Sequence, residues 1–225
     1  MENHKKFSVI IPAYNEEKLI EKTLQSVRNQ DFRGGIELIV VDNNSTDKTS
    51  EIAKRYADKT IFFNLMQRAS ATRNHGAKCA QADYFAFLDA DSVLSPNALS
   101  EAQKSLQKGY AGGRAKILTP HKSFLAESQV FILNNWAKFL GPLYTPYIYT
   151  TKENFEKSGG WEDKIEFGEE IRFLRKLNKY GPLAFDERAS VETSPRRYLK
   201  EGYINITLKG ILGWAGINMP WKPIR

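Results

Sequence analysis

The sequence has a single cysteine, Cys79, in 225 residues. One thiol can neither close an internal disulfide nor build a thiolate zinc site. It fits a reducing compartment such as the cytoplasm. Long apolar runs are missing as well. No window reaches about 18 apolar residues without a charge, so no membrane-spanning helix is expected. The first apolar run, Phe7 to Ile11, is stopped by Pro12 and is too short for a signal-peptide core. The chain is therefore expected to be soluble or to sit on a surface. Two nucleotide signatures are also absent: no Gly-x-x-x-x-Gly-Lys-Ser/Thr loop occurs, and no Gly-x-Gly-x-x-Gly follows the first apolar run. Bound phosphate would then have to be met by a metal and by basic side chains, for which Arg68 and Arg73 are candidates. No basic-aromatic nucleic-acid module is visible, so no nucleic-acid partner is expected.

What is present points to a folded α/β chain. Hydrophobic residues make up 41%, enough for a core over most of the length. Lysine and arginine number 33 against 26 acidic residues, a net charge of +7. That excess attracts anions, although a total of this size is ordinary for a soluble protein. Apolar runs at Phe7–Ile11, Ile36–Val41, Thr60–Asn64 and Tyr84–Leu88 read as strands. Helical spacing follows over Glu16 to Gln30, from Ser45 or Thr46 to Tyr56, and over Ala69 to Ala82. Such strand–helix repeats predict right-handed crossovers and a mostly parallel sheet. Beyond Asp91 the alternation loosens. Helices are expected at Pro96–Lys108, Phe124–Leu140 and Gly168–Tyr180, with strands at Tyr110–Leu118, Leu183–Phe185 and Ser190–Thr193. One α/β domain with an elaborated second half is the economical reading.

In an open parallel sheet, ligands bind beyond the carboxyl ends of the strands. Three such ends carry unusual polar residues: Pro12-Ala13-Tyr14-Asn15-Glu16, Asp42-Asn43-Asn44-Ser45 and Asp89-Ala90-Asp91. All three should open onto one rim. Alternating carboxylates at a strand end can hold Mg²⁺ or Mn²⁺ through hard oxygen ligands; two turn-forming aspartates capping the next helix would look the same. Asp42 can accept a hydrogen bond from a base or ribose, or simply start an Asx-turn. Tyr14 could lie against a base, and Glu16 could accept from a ribose hydroxyl or merely begin a helix.

At these residues the sequence resembles the family 2 glycosyltransferases, which have the GT-A fold. The resemblance rests on Ser8–Glu16, Ile39–Asp47, Ala71-Thr72-Arg73-Asn74-His75-Gly76-Ala77 and Phe87–Asp91. Gly159-Gly160-Trp161-Glu162 and Gly168-Glu169-Glu170 extend it. It implies a nucleotide pocket of Pro12, Ala13, Tyr14, Glu16, Asp42, Asn44, Arg73 and Asp89. It implies a divalent cation, Mg²⁺ or Mn²⁺, held by Asp91 with Asp89, and a donor-sugar region of Ala90, Gly113, Gly160 and Trp161. It also implies an acidic pair supplying the catalytic base. The family's usual Glu-Asp is here Glu169-Glu170, with Glu170 in the aspartate position. Many relatives carry a late-loop histidine as a further metal ligand, and Val191–Arg197 has none. Either Asp91, the diphosphate and water hold the metal, or Arg196 or Arg197 neutralises the diphosphate directly. The implied reaction is inverting transfer of a sugar from a nucleoside-diphosphate sugar to a hydroxyl acceptor, a glycan or a lipid-linked one. A sugar-phosphate nucleotidyltransferase would want a Gly-rich basic loop after the first strand, which this chain lacks. An inactive sugar-nucleotide-binding module would bind the donor without turnover.

The domain is expected to occupy residues 1–194. Residues 195–225 interleave Arg196, Arg197, Lys200, Lys209, Lys222 and Arg225 with Tyr198, Leu199, Tyr203, Ile206, Leu208, Trp214 and Trp221. Basic residues with Trp and Tyr suit a membrane interface, here the inner face of the cell membrane. An apolar helical stripe equally suits packing on the domain or on a second copy in a homodimer.

Overall fold

Five uncharged residues in a row, as in Tyr84–Leu88, suit a strand covered on both faces. In the computed structural model, which describes residues 7–64, 69–139, 144–162 and 168–215, that run is the central β4. The strands are β1 (Phe7–Ala13), β2 (Ile36–Asp42), β3 (Lys59–Phe62), β4 (Tyr84–Leu88), β5 (Ser92–Leu94), β6 (Gly112–Leu118), β7 (Tyr147–Thr151) and β8 (Leu183–Thr193). The helices are α1 (Ile20–Arg28), α2 (Thr49–Tyr56), α3 (Ala69–Cys79), α4 (Ala98–Gln107), α5 (Phe124–Phe139), α6 (Lys152–Ser158), α7 (Glu169–Leu177), α8 (Arg196–Glu201) and α9 (Tyr203–Trp214).

The strands form one sheet in the order β3-β2-β1-β4-β7-β6-β8-β5. The first half is parallel, with β2–β3, β1–β2 and β1–β4 paired that way. The second half is mixed. β7 runs antiparallel to β4 and β6, β8 is parallel to β6, and β5 is antiparallel to β8. Two apolar layers cover the sheet. Side chains of α1, α4 and α5, among them Leu24, Leu99 and Leu133, fill one face. Ala77 of α3, Phe173 and Leu177 of α7, and Trp161 fill the other.

The parallel half follows the sequence expectation closely. The second half departs from it. β5 and β7 and the short helix α6 were not foreseen, and the two expected strands at Leu183–Phe185 and Ser190–Thr193 are one strand, β8, with an irregularity opposite Ala115/Lys116. Tyr147–Thr151 was hidden among prolines and tyrosines. It becomes a strand because it lies between β4, which pairs with all five of its residues, and β6, which pairs with Tyr149 and Thr150. The expected helix Glu16–Gln30 starts only at Ile20. The expected helix Gly168–Tyr180 spans Glu169–Leu177, where Gly168 supplies a left-handed N-terminal residue with φ 77°. Arg68 lies outside the described residues. None of the described helices is long and apolar enough to cross a membrane.

Candidate active site

The parallel register brings the carboxyl ends of β1, β2 and β4 to one edge, and the expected rim forms there. The loops after β1 and β2 are laced together. Asn15 Oδ1 accepts from Thr46 N at 2.8 Å, Ser45 Oγ accepts from Asn15 N at 3.0 Å, and Thr49 Oγ1 accepts from Glu16 N at 2.7 Å. Asn15 and Asn44 hold the left-handed conformation, φ 53° and 66°, which asparagine tolerates better than most residues. Asp42 is buried. Its Oδ1 accepts from Ser45 N at 2.9 Å, while its Oδ2 is buried with no hydrogen bond. A buried lone acceptor is costly, and a ligand N–H or hydroxyl would satisfy it. Tyr14 beside it is exposed.

Asp89 and Asp91 follow β4. Arg73, buried on α3, donates to Asp89 Oδ1 at 2.6 Å and also pairs with Glu169 of α7, which accepts from Ser70 Oγ as well. The guanidinium lies 4.6 Å above the Trp161 ring, which stacks on Phe173 at 4.3 Å. Tyr144 adds a 3.3 Å hydrogen bond to Asp89 Oδ2. Burial pushes the Asp89 carboxyl up, and Arg73 pulls against it. Glu170, one residue on from Glu169, lies among Glu169, Arg73 and Asp89. Burial and then repulsion from Glu169 raise its carboxyl to about 8.

Asp91 faces the late chain. β5 pairs with the end of β8, and Asp91 O accepts from Ser194 N at 3.2 Å, so α8 begins beside it. Arg196 reaches Asp91 at 3.3 Å and grips Glu16 with both terminal nitrogens. Burial, then repulsion from Asp89, raise the Asp91 carboxyl to about 7, with Arg196 opposing and Glu16 adding to the repulsion.

Most sequence-predicted residues therefore converge: Pro12 and Ala13 at the end of β1 and Asp42 at the end of β2, Tyr14, Glu16 and Asn44 on the loops that follow, Arg73, Asp89, Ala90 and Asp91 beside them, and Glu169, Glu170 and Arg196 from the second half. Gly160 (φ 66°) and Trp161 are held by Asn74, whose side chain donates to Trp161 O at 2.8 Å and accepts from Trp161 N at 2.9 Å. Two residues sit differently. Gly113 lies inside β6, where a Cβ would meet Tyr149 Oη at 2.3 Å, so sheet packing accounts for it. Arg197 turns away to Glu201, its Nε 3.3 Å from the carboxylate. Sequence reasoning missed Ser70 and Tyr144, since a serine and a tyrosine carry no pattern that announces a carboxylate partner.

This rim lies at the edge of a mixed sheet of the GT-A type. The comparisons agree. The family description "Glycosyl transferase family 2" matches residues 8–161, and the chain belongs to that family. A Campylobacter jejuni protein, GalNAc(5)-diNAcBac-PP-undecaprenol beta-1,3-glucosyltransferase, is 36% identical over 112 residues, covering 47% of this chain and 36% of that one. Poly(ribitol-phosphate) beta-N-acetylglucosaminyltransferase TarS of Staphylococcus aureus is 37% identical over 103 residues, 43% of this chain and 18% of TarS. The chain thus spans well under half the length of these relatives. The fold is shared with TarS residues 1–349 solved with UDP-GlcNAc, at TM-score 0.70 and 19% identity over 84% of this chain and 58% of that one. It is also shared with the mannosyltransferase PcManGT of Pyrobaculum calidifontis, solved with GDP-Man and Mn²⁺, at 0.69 and 17% over 93% of this chain and 65% of that one.

Proposed function

We propose that this chain moves a sugar from a nucleoside-diphosphate sugar to a hydroxyl acceptor, with inversion, and that Glu170 is the base. The observation that carries this reading is the unequal state of the acidic pair. Glu169 is tied to Arg73 and Ser70 and serves as a fixed counter-ion. Glu170 is held near two other carboxylates and keeps its proton affinity high, about 8, as a base working near neutral pH requires. It takes the proton of the acceptor hydroxyl, which attacks the anomeric carbon opposite the departing diphosphate. A positioned general base contributes typically about 10²–10⁴-fold.

The orphaned Asp42 Oδ2 supports a base or ribose contact in the nucleotide pocket, with Tyr14 exposed to lie against the base. Burial, then Asp89 and Glu16, raise the proton affinity of Asp91, which is the electrostatic signature of a place that wants a cation. These residues fit Mg²⁺ or Mn²⁺, with Asp91 the first ligand, Asp89 the neighbour and the donor diphosphate completing the shell; among the described residues no three ligating side chains converge without it. Such a cation would stabilise charge growing on the diphosphate. Arg196 lies where it can share that task. The acceptor in this reading is a lipid-linked or cell-envelope glycan, since the relatives' names speak of undecaprenol and poly(ribitol-phosphate). Residues 1–194 form the body of the catalytic unit, residues 195–225 a docking segment that lends it Arg196, and the protein works on the cytoplasmic side of the membrane.

The test pairs binding with turnover. Glu170→Gln should keep the thermal shift given by a nucleoside-diphosphate sugar with Mn²⁺ and lose transfer by roughly 10²-fold or more. If Glu169→Gln is the variant that binds without turnover, the roles within the pair are reversed. If both keep transferring, the base lies elsewhere. A wild-type chain that binds donor and never transfers is a binding module.

A further inference from the structure

Seven of the eleven exposed large hydrophobic side chains among the described residues lie on three neighbouring helices at the late end of the fold. On α5, Phe124 is 84% exposed and Phe131 68%, with Leu125 and Ile132 exposed beside them. Their spacing, 124/131 and 125/132, is one stripe of a helix. The opposite side of α5, with Ala126, Gln129 and Leu133, is buried on the domain. The helix is thus apolar on both sides, and the domain uses only one. α9 behaves likewise. Ile206 is buried and Ile211 packs on the core, while Ile204 and Leu208 are exposed. The two helices touch, with Gln129 Nε2 donating to Thr207 Oγ1 at 3.1 Å. Leu199 is exposed on α8, which packs against α9.

We propose that the outer faces of α5 and α9, with Leu199, form one docking surface for an anionic lipid bilayer. The inference rests on the reading of a lipid-linked acceptor, but it is carried by this surface itself. Scattered apolar residues on a surface are ordinary, whereas a contiguous patch marks a partner. Charge decides which partner. Residues 119–139 and 195–215 together hold six lysines and arginines, of which Arg196 pairs with Glu16 and Asp91, against two glutamates. One of those, Glu201, is already bonded by Arg197 and Lys209. A second copy docking through the same face would set this basic border against itself. An anionic bilayer meets it with the opposite charge and takes up the phenylalanines and leucines at the headgroup boundary. The surface is also joined to the site. Arg196, bonded to Glu16 and Asp91, lies three residues before Leu199, and Tyr198 stacks on Tyr203 at 5.5 Å. Docking would hold the donor rim at the membrane plane, within reach of an acceptor hydroxyl presented from lipid.

The experiment is cosedimentation of the full chain with phosphatidylglycerol-containing vesicles and with phosphatidylcholine vesicles, beside light scattering without lipid. Binding is expected to the anionic vesicles, weaker in high salt. It should fall at least tenfold in Phe124→Ser/Phe131→Ser and in Ile204→Ser/Leu208→Ser. All these positions are exposed, so the variants should keep the donor-induced thermal shift. Lys122→Glu/Lys200→Glu should lose vesicle binding by a similar factor while leaving every apolar side chain in place. A wild-type chain that stays in the supernatant overturns the proposal, as do variants that sediment like wild type. A wild-type dimer that the serine variants break would assign the face to a second copy instead. Vesicle binding needs no turnover, so its failure is distinct from failure of the transferase reading.

Discussion

Arg73 stands between two carboxylates, Asp89 on one side and Glu169 on the other, on a bed of stacked aromatic rings. Its charge is matched twice over, which raises its proton affinity despite its burial. A fork of five donors can serve two partners in fixed directions, and a lysine cannot. Removing the cation strands several buried carboxylates together, and breaking a buried pair from one side costs about 3–5 kcal/mol. Arg73→Met is therefore expected to lose stability of that order, read as a fall in the urea midpoint at unchanged slope. The same loss should show in catalysis. Arg73 pulls the Glu170 carboxyl down against burial and Glu169. The base must be ionised, so kcat/KM should fall as pH drops below about 8 in the wild type. In Arg73→Met, or in Arg73→Lys where the fold holds better, that acid limb should move to higher pH. A limb that stays in place would show that Arg73 does not set the protonation of the base.

Among the elements, α3 delivers Ser70, Arg73 and Asn74 to the site from a helix laid against β1 and β2. The close approach depends on Gly76. A Cβ there would meet Ile10 Cγ2 at 2.5 Å and Val41 Cγ2 at 2.9 Å, both on buried strands that cannot yield. Gly76→Ala should therefore lift the helix and cost roughly 1–3 kcal/mol through overpacking. It should lower transfer more than an equally destabilising change on α2, because the lifted helix carries Arg73 with it. Equal losses would make the glycine a packing residue only. The case also shows what was legible in the sequence. The parallel half could be read because each strand is a short apolar run followed by a helical pattern, and the rim could be read because Pro12–Glu16, Asp42–Ser45 and Asp89–Asp91 all sit at strand ends. β7 could not, since Tyr147–Thr151 is made a strand by β4 and β6 on either side and not by its own spacing. The resemblance places Gly113 in a sugar site, and the fold adds a second reason for a glycine there, the wall of Tyr149 and Ala184 around it. The two outer stripes of α5 and α9 were only half legible: the C-terminal one has basic neighbours in sequence, whereas the α5 stripe reads as core until the fold leaves it exposed.

For the molecule as a whole, the site is a concentration of carboxylates held at the junction of the parallel and mixed halves of the sheet, and that has a consequence for stability against pH. Asp91 is raised to about 7 and Glu170 to about 8, with Asp89 raised as well. For an acid with a raised affinity the folded state binds more protons than the unfolded one, so stability falls as pH rises. The fall begins above the ordinary carboxylate range near 4 and is complete once pH passes the folded values, about 7 and about 8. The lowered acids, Glu37, Asp47, Asp58 and Glu201, act in the opposite sense, but their stabilisation is already fully present above pH about 5 and cannot offset the change. The ligand-free protein should thus melt lower at pH 8.5 than at pH 6, by on the order of 1–4 kcal/mol of stability. A divalent cation together with a nucleoside diphosphate supplies the charge these carboxylates lack and binds only the folded chain, so it should raise Tm most at the higher pH and narrow the gap. The measurement is a thermal melt across that range with and without Mn²⁺ and nucleoside diphosphate. A ligand-free Tm that stays flat or climbs from pH 6 to 8.5 would mean the carboxylates are not in conflict. A gap that nucleotide closes without any cation would assign the neutralising role to Arg196 and its neighbours.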